Sequence, residues 1–172
     1  MVAQLGGHHT RARGNSATSE SVHSCLIFIT EKQRGPLGAT EKSRQHQALT
    51  ERIIGLAIEV HRKTGPGLLE SIYAACLCCE LEYAGIPLSR QVSIPVTYKG
   101  MPIPLGFRAD ILVDDIVILE IKAVPALLPG HDAQLQTYLR MSGIPVGLLL
   151  NFHAVRLKDG LRALSAENDS SQ

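Results

Sequence analysis

The chain has 172 residues, 45% of them hydrophobic and only 4% aromatic, with no tryptophan and a formal net charge of +1. That length suits one domain with an aliphatic core. The hydrophobic content excludes a chain disordered throughout, and the near-zero charge excludes a broad basic nucleic-acid surface while leaving room for a local one.

Four cysteines (Cys25, Cys76, Cys78, Cys79) follow no disulfide-framework spacing, which points to a reducing cytoplasm. No segment reaches the roughly 20 apolar residues that a bilayer crossing needs. The apolar run Cys25-Leu-Ile-Phe-Ile29 lacks a small-residue cleavage site after it. Neither a membrane span nor a signal peptide is therefore expected.

Residues 1–47 are rich in Gly, His, Ser, Thr, Arg and Gln and carry no sustained periodicity. A disordered or loosely structured N-terminal extension is expected there. Its basic residues, among them Arg11, Arg13, Lys42 and Arg44, read as a solvated tail rather than as phosphate contacts. Residues 48–164 form the expected domain, and residues 165–172 a disordered polar tail.

The first helix is expected from Thr50 to Lys63, with Thr50 as N-cap and Leu49 and Ile54 as a hydrophobic staple. Ile53, Ile54, Ala57, Ile58 and His61 make its apolar face, and Gly65-Pro66 stops it. A second helix is expected from about Leu68 to Gly85, with Leu69, Ile72, Tyr73, Cys76, Leu77 and Leu81 as its stripe. Glu70 falls in its first turn, where the helix dipole favours a carboxylate.

Three strands follow. Val92, Ile94, Val96 and Tyr98 alternate with mostly polar residues, and Lys99-Gly100 makes a turn. In the next strand, Ile103 to Val113, strict alternation puts Phe107, Ala109, Ile111 and Val113 on one face and Arg108, Asp110 and Leu112 on the other. Asp114-Asp115 is a tight turn into Ile116–Ala123, a near-continuous aliphatic run that suits a central strand. A third helix is expected over His131–Ser142, closed by Gly143, then a strand over Val146–Phe152 and a short one at Val155–Leu157. Hairpins join the first three strands, and a helical crossover then allows a parallel partner. The expected order is α-α-β-β-β-α-β, a mixed sheet flanked by helices in the α/β class.

Asp110, Glu120 and Lys122 interrupt these apolar strands, and an unpaired buried charge costs on the order of several kcal/mol. The hairpin can bring the three together, with Asp110 across from Ile118 to Glu120. Hard carboxylate oxygens suit Mg²⁺ or Mn²⁺, and two of them meet the usual count for magnesium, which keeps waters or substrate phosphate in the remaining positions. Such an ion lowers the pKa of water, and Lys122 then positions or deprotonates the nucleophile or stabilises phosphate charge. Glu70 joins from the helix side. Gln134 and Tyr138 fit substrate contacts or outer hydrogen bonds.

The bland readings are a structural Glu120–Lys122 ion pair, a core Tyr73 and Tyr138, and a Gly67 that serves only the turn. Cys76, Cys78 and Cys79 lie on one helix and cannot close a zinc tetrahedron, so they read as packing. His131 reads as a helix-start residue, and Arg108 as a phosphate contact or a plain sheet-face residue.

From about Leu49 to Leu164 the chain resembles the GxxExxY proteins, a branch of the PD-(D/E)XK nuclease superfamily. The naming motif stands as Gly67-Leu-Leu-Glu70-Ser-Ile-Tyr73, the nuclease motif as Asp110 followed by Glu120-Ile-Lys122, and the RecB-like motif as Gln134-Leu-Gln-Thr-Tyr138. Ala109 stands where the family pattern has proline. The resemblance implies a restriction-endonuclease-like core and metal-dependent phosphodiester hydrolysis, and DNA is expected as the substrate ahead of RNA. It implies Glu70, Asp110 and Glu120 around the metal and Lys122 as catalytic. A rival expectation is a non-catalytic nuclease-fold module that binds within a nucleic-acid-processing complex, which the neutral charge favours.

Overall fold

The computed structural model describes residues 40–166; the N-terminal extension up to residue 39, the last six residues and the side chains of Pro104 and Leu105 lie outside the description. The elements run α1 (Glu41–Thr64), α2 (Glu70–Tyr83), β1 (Leu88–Tyr98), β2 (Met101–Val113), β3 (Val117–Lys122), α3 (Pro129–Ser142), β4 (Val146–Asn151), a 3₁₀ turn (Leu157–Gly160) and β5 (Leu161–Ser165).

The first helix starts at Glu41, well before Thr50. Its cap is Thr40, whose hydroxyl accepts from the Ser43 amide. Thr50 lies mid-helix and donates back to the His46 carbonyl. The early turns consist of polar helix formers exposed to solvent, so no apolar period marks them. The helix closes at Gly65, φ +66°.

The sheet order among the described residues is β1-β2-β3-β4-β5. β1-β2 and β2-β3 are antiparallel hairpins, and β3 pairs with β4 in parallel across the α3 crossover. Asp114 and Asp115 sit at φ +51° and +53°, both left-handed, in the three-residue connection 114–116 between the paired Val113 and Val117, where the Ile116 amide donates to the Val113 carbonyl. β3 is central and buried along nearly its whole length. The expected strand at Val155–Leu157 is absent: Leu157 opens the 3₁₀ turn, and the last strand is Leu161–Ser165, antiparallel to β4.

Two apolar layers cover the sheet. On one side Ile53, Ile54, Ala57, Tyr73, Leu77 and Leu81 of α1 and α2 pack on Ile111, Val113, Leu119, Ile121, Leu148 and Leu150. On the other, Leu135, Tyr138 and Leu139 of α3 pack on Ile94, Ala109, Ile118 and Leu149. The stripe expected for α2 holds at Tyr73, Leu77 and Leu81, but Cys78 is buried, while Leu69 is 70% exposed and Ile72 43% exposed. Leu69 precedes the first helical residue and so lies outside the face that the helix turns inward.

The α3 layer depends on a small residue. A Cβ at Gly147 would come within 3.0 Å of three side-chain atoms of the buried Leu135. Gly147→Ala is expected to destabilise the fold by about 1–3 kcal/mol through overpacking. The check is a lower urea midpoint at unchanged slope, with Gly130→Ala, where nothing lies within 4 Å of the new Cβ, as control.

Candidate active site

The strict alternation expected for β2 is broken by a register shift between Ile103 and Phe107 and again nearer the candidate residues. Ala109 packs with the α3 layer, and Phe107 meets the Tyr138 ring with centroids 5.2 Å apart. Ile111 and Val113, two and four residues beyond Ala109, pack with the α1/α2 layer instead. The phase of the strand therefore changes between Ala109 and Ile111, at Asp110.

The sheet opens at the same place. β2 pairs with β3 only from Ile111↔Leu119 to Val113↔Val117. Past that point the Asp110 carboxylate takes the place of a ladder partner: its Oδ2 accepts the Ile121 amide at 2.9 Å. Its Oδ1 accepts from the Gln91 carboxamide at 3.3 Å. Gln91 was not singled out from the sequence, where a lone glutamine on a half-exposed strand carries no signal.

Glu120 and Lys122 project from the same face of β3, and the Lys122 Nζ donates to Glu120 Oε1 at 2.7 Å. The two side chains are 4% and 15% exposed. Glu120 Oε2 is buried with no hydrogen-bond partner. Burial pushes the Glu120 carboxyl above the ordinary glutamate range; the Lys122 bond pulls it partly back, and the charges of Asp110 and Glu70 push it up again. For Lys122, burial works against the ammonium, but the bond to Glu120 and the charges of Glu120, Glu70 and Asp110 outweigh it and lift the pKa. Lys122 is therefore a cation, bonded to Glu120 and favoured by the charges of Glu70 and Asp110.

Glu70 reaches the same end of β3 from the start of α2, its Oε1 accepting the Ala123 amide at 2.8 Å. Its neighbours set its place. Gly67 turns the chain at φ +108°. The buried Tyr73 hydroxyl donates to Gly65 O at 2.6 Å and accepts the Leu68 amide at 3.0 Å, pinning that turn. The Tyr73 ring stacks on Phe152, centroids 4.5 Å apart. Tyr73 is thus core and Gly67 a turn residue, leaving Glu70 as the member whose side chain reaches the end of β3. Beyond Lys122, the buried Asn151 clamps Val124, accepting its amide at 3.1 Å and donating to its carbonyl at 2.8 Å. An open cleft of about 480 Å³, lined by Leu68, Leu69, Glu70, Ser71 and Ala123, adjoins these groups.

Gln134 and Tyr138 bond each other, the Gln134 carboxamide donating to the Tyr138 hydroxyl at 2.5 Å. Tyr138 is 3% exposed and belongs to the α3 layer. His131 turns back on its own helix, its Nδ1 accepting the Leu128 amide. Cys78 is buried, Cys76 partly so and Cys79 exposed, all three free.

Hard oxygen donors and an orphaned, buried Glu120 oxygen fit a divalent cation, and Asp110 with Glu120 meets the usual count for magnesium. Among the described residues no three His, Cys, Asp or Glu side chains stand close enough together to hold an ion as they are. No helix among them is long and apolar enough to cross a membrane.

Searches of curated proteins and of solved structures return no match. The family model of the PD-(D/E)XK nuclease superfamily matches residues 47–164, and its members generally use divalent metals. With most of its length matched, and with a mixed α/β sheet consistent with the restriction-endonuclease-like fold, the chain belongs to the PD-(D/E)XK nuclease superfamily.

Proposed function

We propose that the chain is a cytoplasmic nuclease of the GxxExxY branch that hydrolyses phosphodiester bonds of DNA. Asp110 and Glu120 would hold Mg²⁺ or Mn²⁺, with Glu70 completing the carboxylate set. The observation that carries this reading is Glu120: a carboxylate oxygen buried without a partner, on a strand floor shared with a lysine and within electrostatic reach of two further carboxylates. Leaving such an oxygen unsatisfied costs about 1–3 kcal/mol, a cost that a fold retains where a ligand later meets it.

A bound divalent cation would supply Lewis acidity and a lowered pKa for water. The chain's own groups do the remainder. Lys122, kept charged by its carboxylate neighbours, donates to the non-bridging phosphate oxygens as negative charge grows on them in the transition state. The Glu120 contact fixes the ammonium beforehand, so little reorganisation accompanies the reaction. The Ile121 amide holds Asp110, and the Ala123 amide holds Glu70 at the mouth of the cleft. The buried Tyr138 presents Gln134 to the substrate rather than touching it. Leu68 and Leu69 offer the cleft an apolar wall for a nucleoside next to the scissile bond.

The test is cleavage of single- and double-stranded DNA by the purified chain in Mg²⁺, Mn²⁺ and EDTA, with calorimetric titration of Mn²⁺. Asp110→Asn keeps an oxygen for the Ile121 amide and so is expected to keep the fold. Its cleavage rate should fall about 10²-fold or more, and its Mn²⁺ binding should weaken in parallel. Equal cleavage in EDTA sinks the mechanism. Absence of Mn²⁺ binding favours the rival reading of a non-catalytic binding module, which the net charge of +1 also suits.

A further inference from the structure

Four residues other than glycine have positive φ among the described residues: Gln91, Lys99, Asp114 and Asp115. The last three lie in the short turns that join β1 to β2 and β2 to β3, where left-handed backbone is what closes the hairpin. Gln91 does not. It stands inside β1 at φ +50°, a conformation that L side chains rarely adopt.

Its position is opposite the site. The β1-β2 register runs Arg90↔Ile111 and then Val92↔Ala109, so Gln91 and Asp110 face each other and both drop out of the pairing between them. The kink in β1 and the change of phase in β2 are thus one distortion, shared across the hairpin. Its outcome is an Asp110 carboxylate directed along the sheet toward Ile121, with one oxygen on that amide and the other on the Gln91 carboxamide. Backbone in a sparsely populated region persists where something else benefits from it.

We propose that Gln91 is a positioning residue: its strained backbone and its carboxamide together aim the Asp110 carboxylate at the cation that Asp110 and Glu120 would share. The inference rests on the nuclease reading above and adds to it a residue outside the motif positions. Glutamine suits the role because its amide donates to a carboxylate without neutralising it, leaving the carboxylate its charge for the metal. Outer hydrogen bonds of this kind are typically worth about ten- to a hundred-fold in metal affinity.

The variants are Gln91→Gly, which removes the strain and the donor together, and Gln91→Asn, which tolerates left-handed backbone but is one methylene shorter. Each is compared with the wild-type chain by Mn²⁺ calorimetry and by thermal unfolding in EDTA. The expected result for Gln91→Gly is an unchanged or higher melting temperature with Mn²⁺ affinity lowered about ten-fold or more. Gln91→Asn should fall between it and wild type. Affinity within two-fold of wild type in Gln91→Gly overturns the inference while leaving the nuclease reading intact. A lower melting temperature for that variant in EDTA also overturns it, because Gln91 then serves the sheet. A wild-type chain that binds no Mn²⁺ overturns both.

Discussion

Glu120→Gln is expected to abolish metal-dependent cleavage and, in EDTA, to give a more stable protein than the wild type. The first half follows from the site: glutamine has the shape of the glutamate but no charge for a cation, and a loss of about 10³-fold in rate is the expected scale for removing a metal carboxylate. The second half follows from burial. The wild-type carboxylate is buried, has an oxygen without a partner, and lies near the charges of Asp110 and Glu70. Its pKa is raised, so in the absence of a cation the charged form weakens the fold. A carboxyl of this kind contributes stability that is fully present below its unfolded pKa, near 4.5, and lost as pH rises through the higher folded pKa. The wild-type melting temperature in EDTA should therefore decline upward from the ordinary glutamate range, and the Gln variant should lack that component. At neutral pH the gain should be about 1 kcal/mol, roughly 2–4 °C. Addition of Mn²⁺ should reverse the ranking, because it stabilises only the chain that binds it. A Glu120→Gln protein that melts below wild type in EDTA would show that the Lys122 pair outweighs the desolvation.

Lys122→Met is expected to fail in both respects. Rate should fall about 10²–10³-fold, the scale for removing a positioned donor to a developing charge. Stability in EDTA should fall as well, because the buried Glu120 then loses its bonded cation while the charges of Asp110 and Glu70 still act on it. Breaking a buried pair by removing one partner costs about 3–5 kcal/mol. The loss should shrink as pH falls and Glu120 takes up a proton. In the double variant with Glu120→Gln, the stability loss should be smaller than in Lys122→Met alone, since the uncompensated charge is gone. Urea unfolding of the four proteins completes the cycle. A strictly additive double variant would contradict the contact at 2.7 Å between Lys122 and Glu120 as an energetic pair.

The placement of Asp110, Glu120 and Lys122 was readable because they lie on regular elements. Glu120 and Lys122 are two apart on a strand, so period two alone puts them together. Asp114-Asp115 announces its own turn, which brings Asp110 across from Ile118 to Glu120. The helical crossover after Lys122 made β4 parallel to β3. The features that escaped have different causes. The early turns of α1, residues 41–48, are exposed apart from the half-buried His46, so they carry no apolar period to read. β5 is short and only half buried, and its alternation over Leu161–Ser165 is no stronger than that of Val155–Leu157, which forms no strand. The switch of faces at Asp110 needs a positive φ at a glutamine, and no residue type advertises that. Leu69 and Ile72 look like a continuation of the α2 stripe, yet both reach solvent, and Leu69 precedes the helix and lines the cleft.

The opening of the sheet at Asp110 has a consequence for how the site is assembled in time. The contact between Asp110 and Ile121 spans 11 residues, and that between Glu120 and Lys122 spans two. All lie in one hairpin with a short turn, the kind of unit that forms in about 1–10 μs. Glu70 must come from 53 residues away, and Asn151 from 27 residues beyond Val124. Closing loops of that length adds entropy slowly with length, but nothing rewards it until the helices have docked. The site is thus a local cassette of Asp110, Glu120 and Lys122 onto which distant groups close late. In the interval the lysine is the only counterion that the cassette carries for its own carboxylates, so Lys122 guards the folding of the hairpin before it has any substrate to act upon.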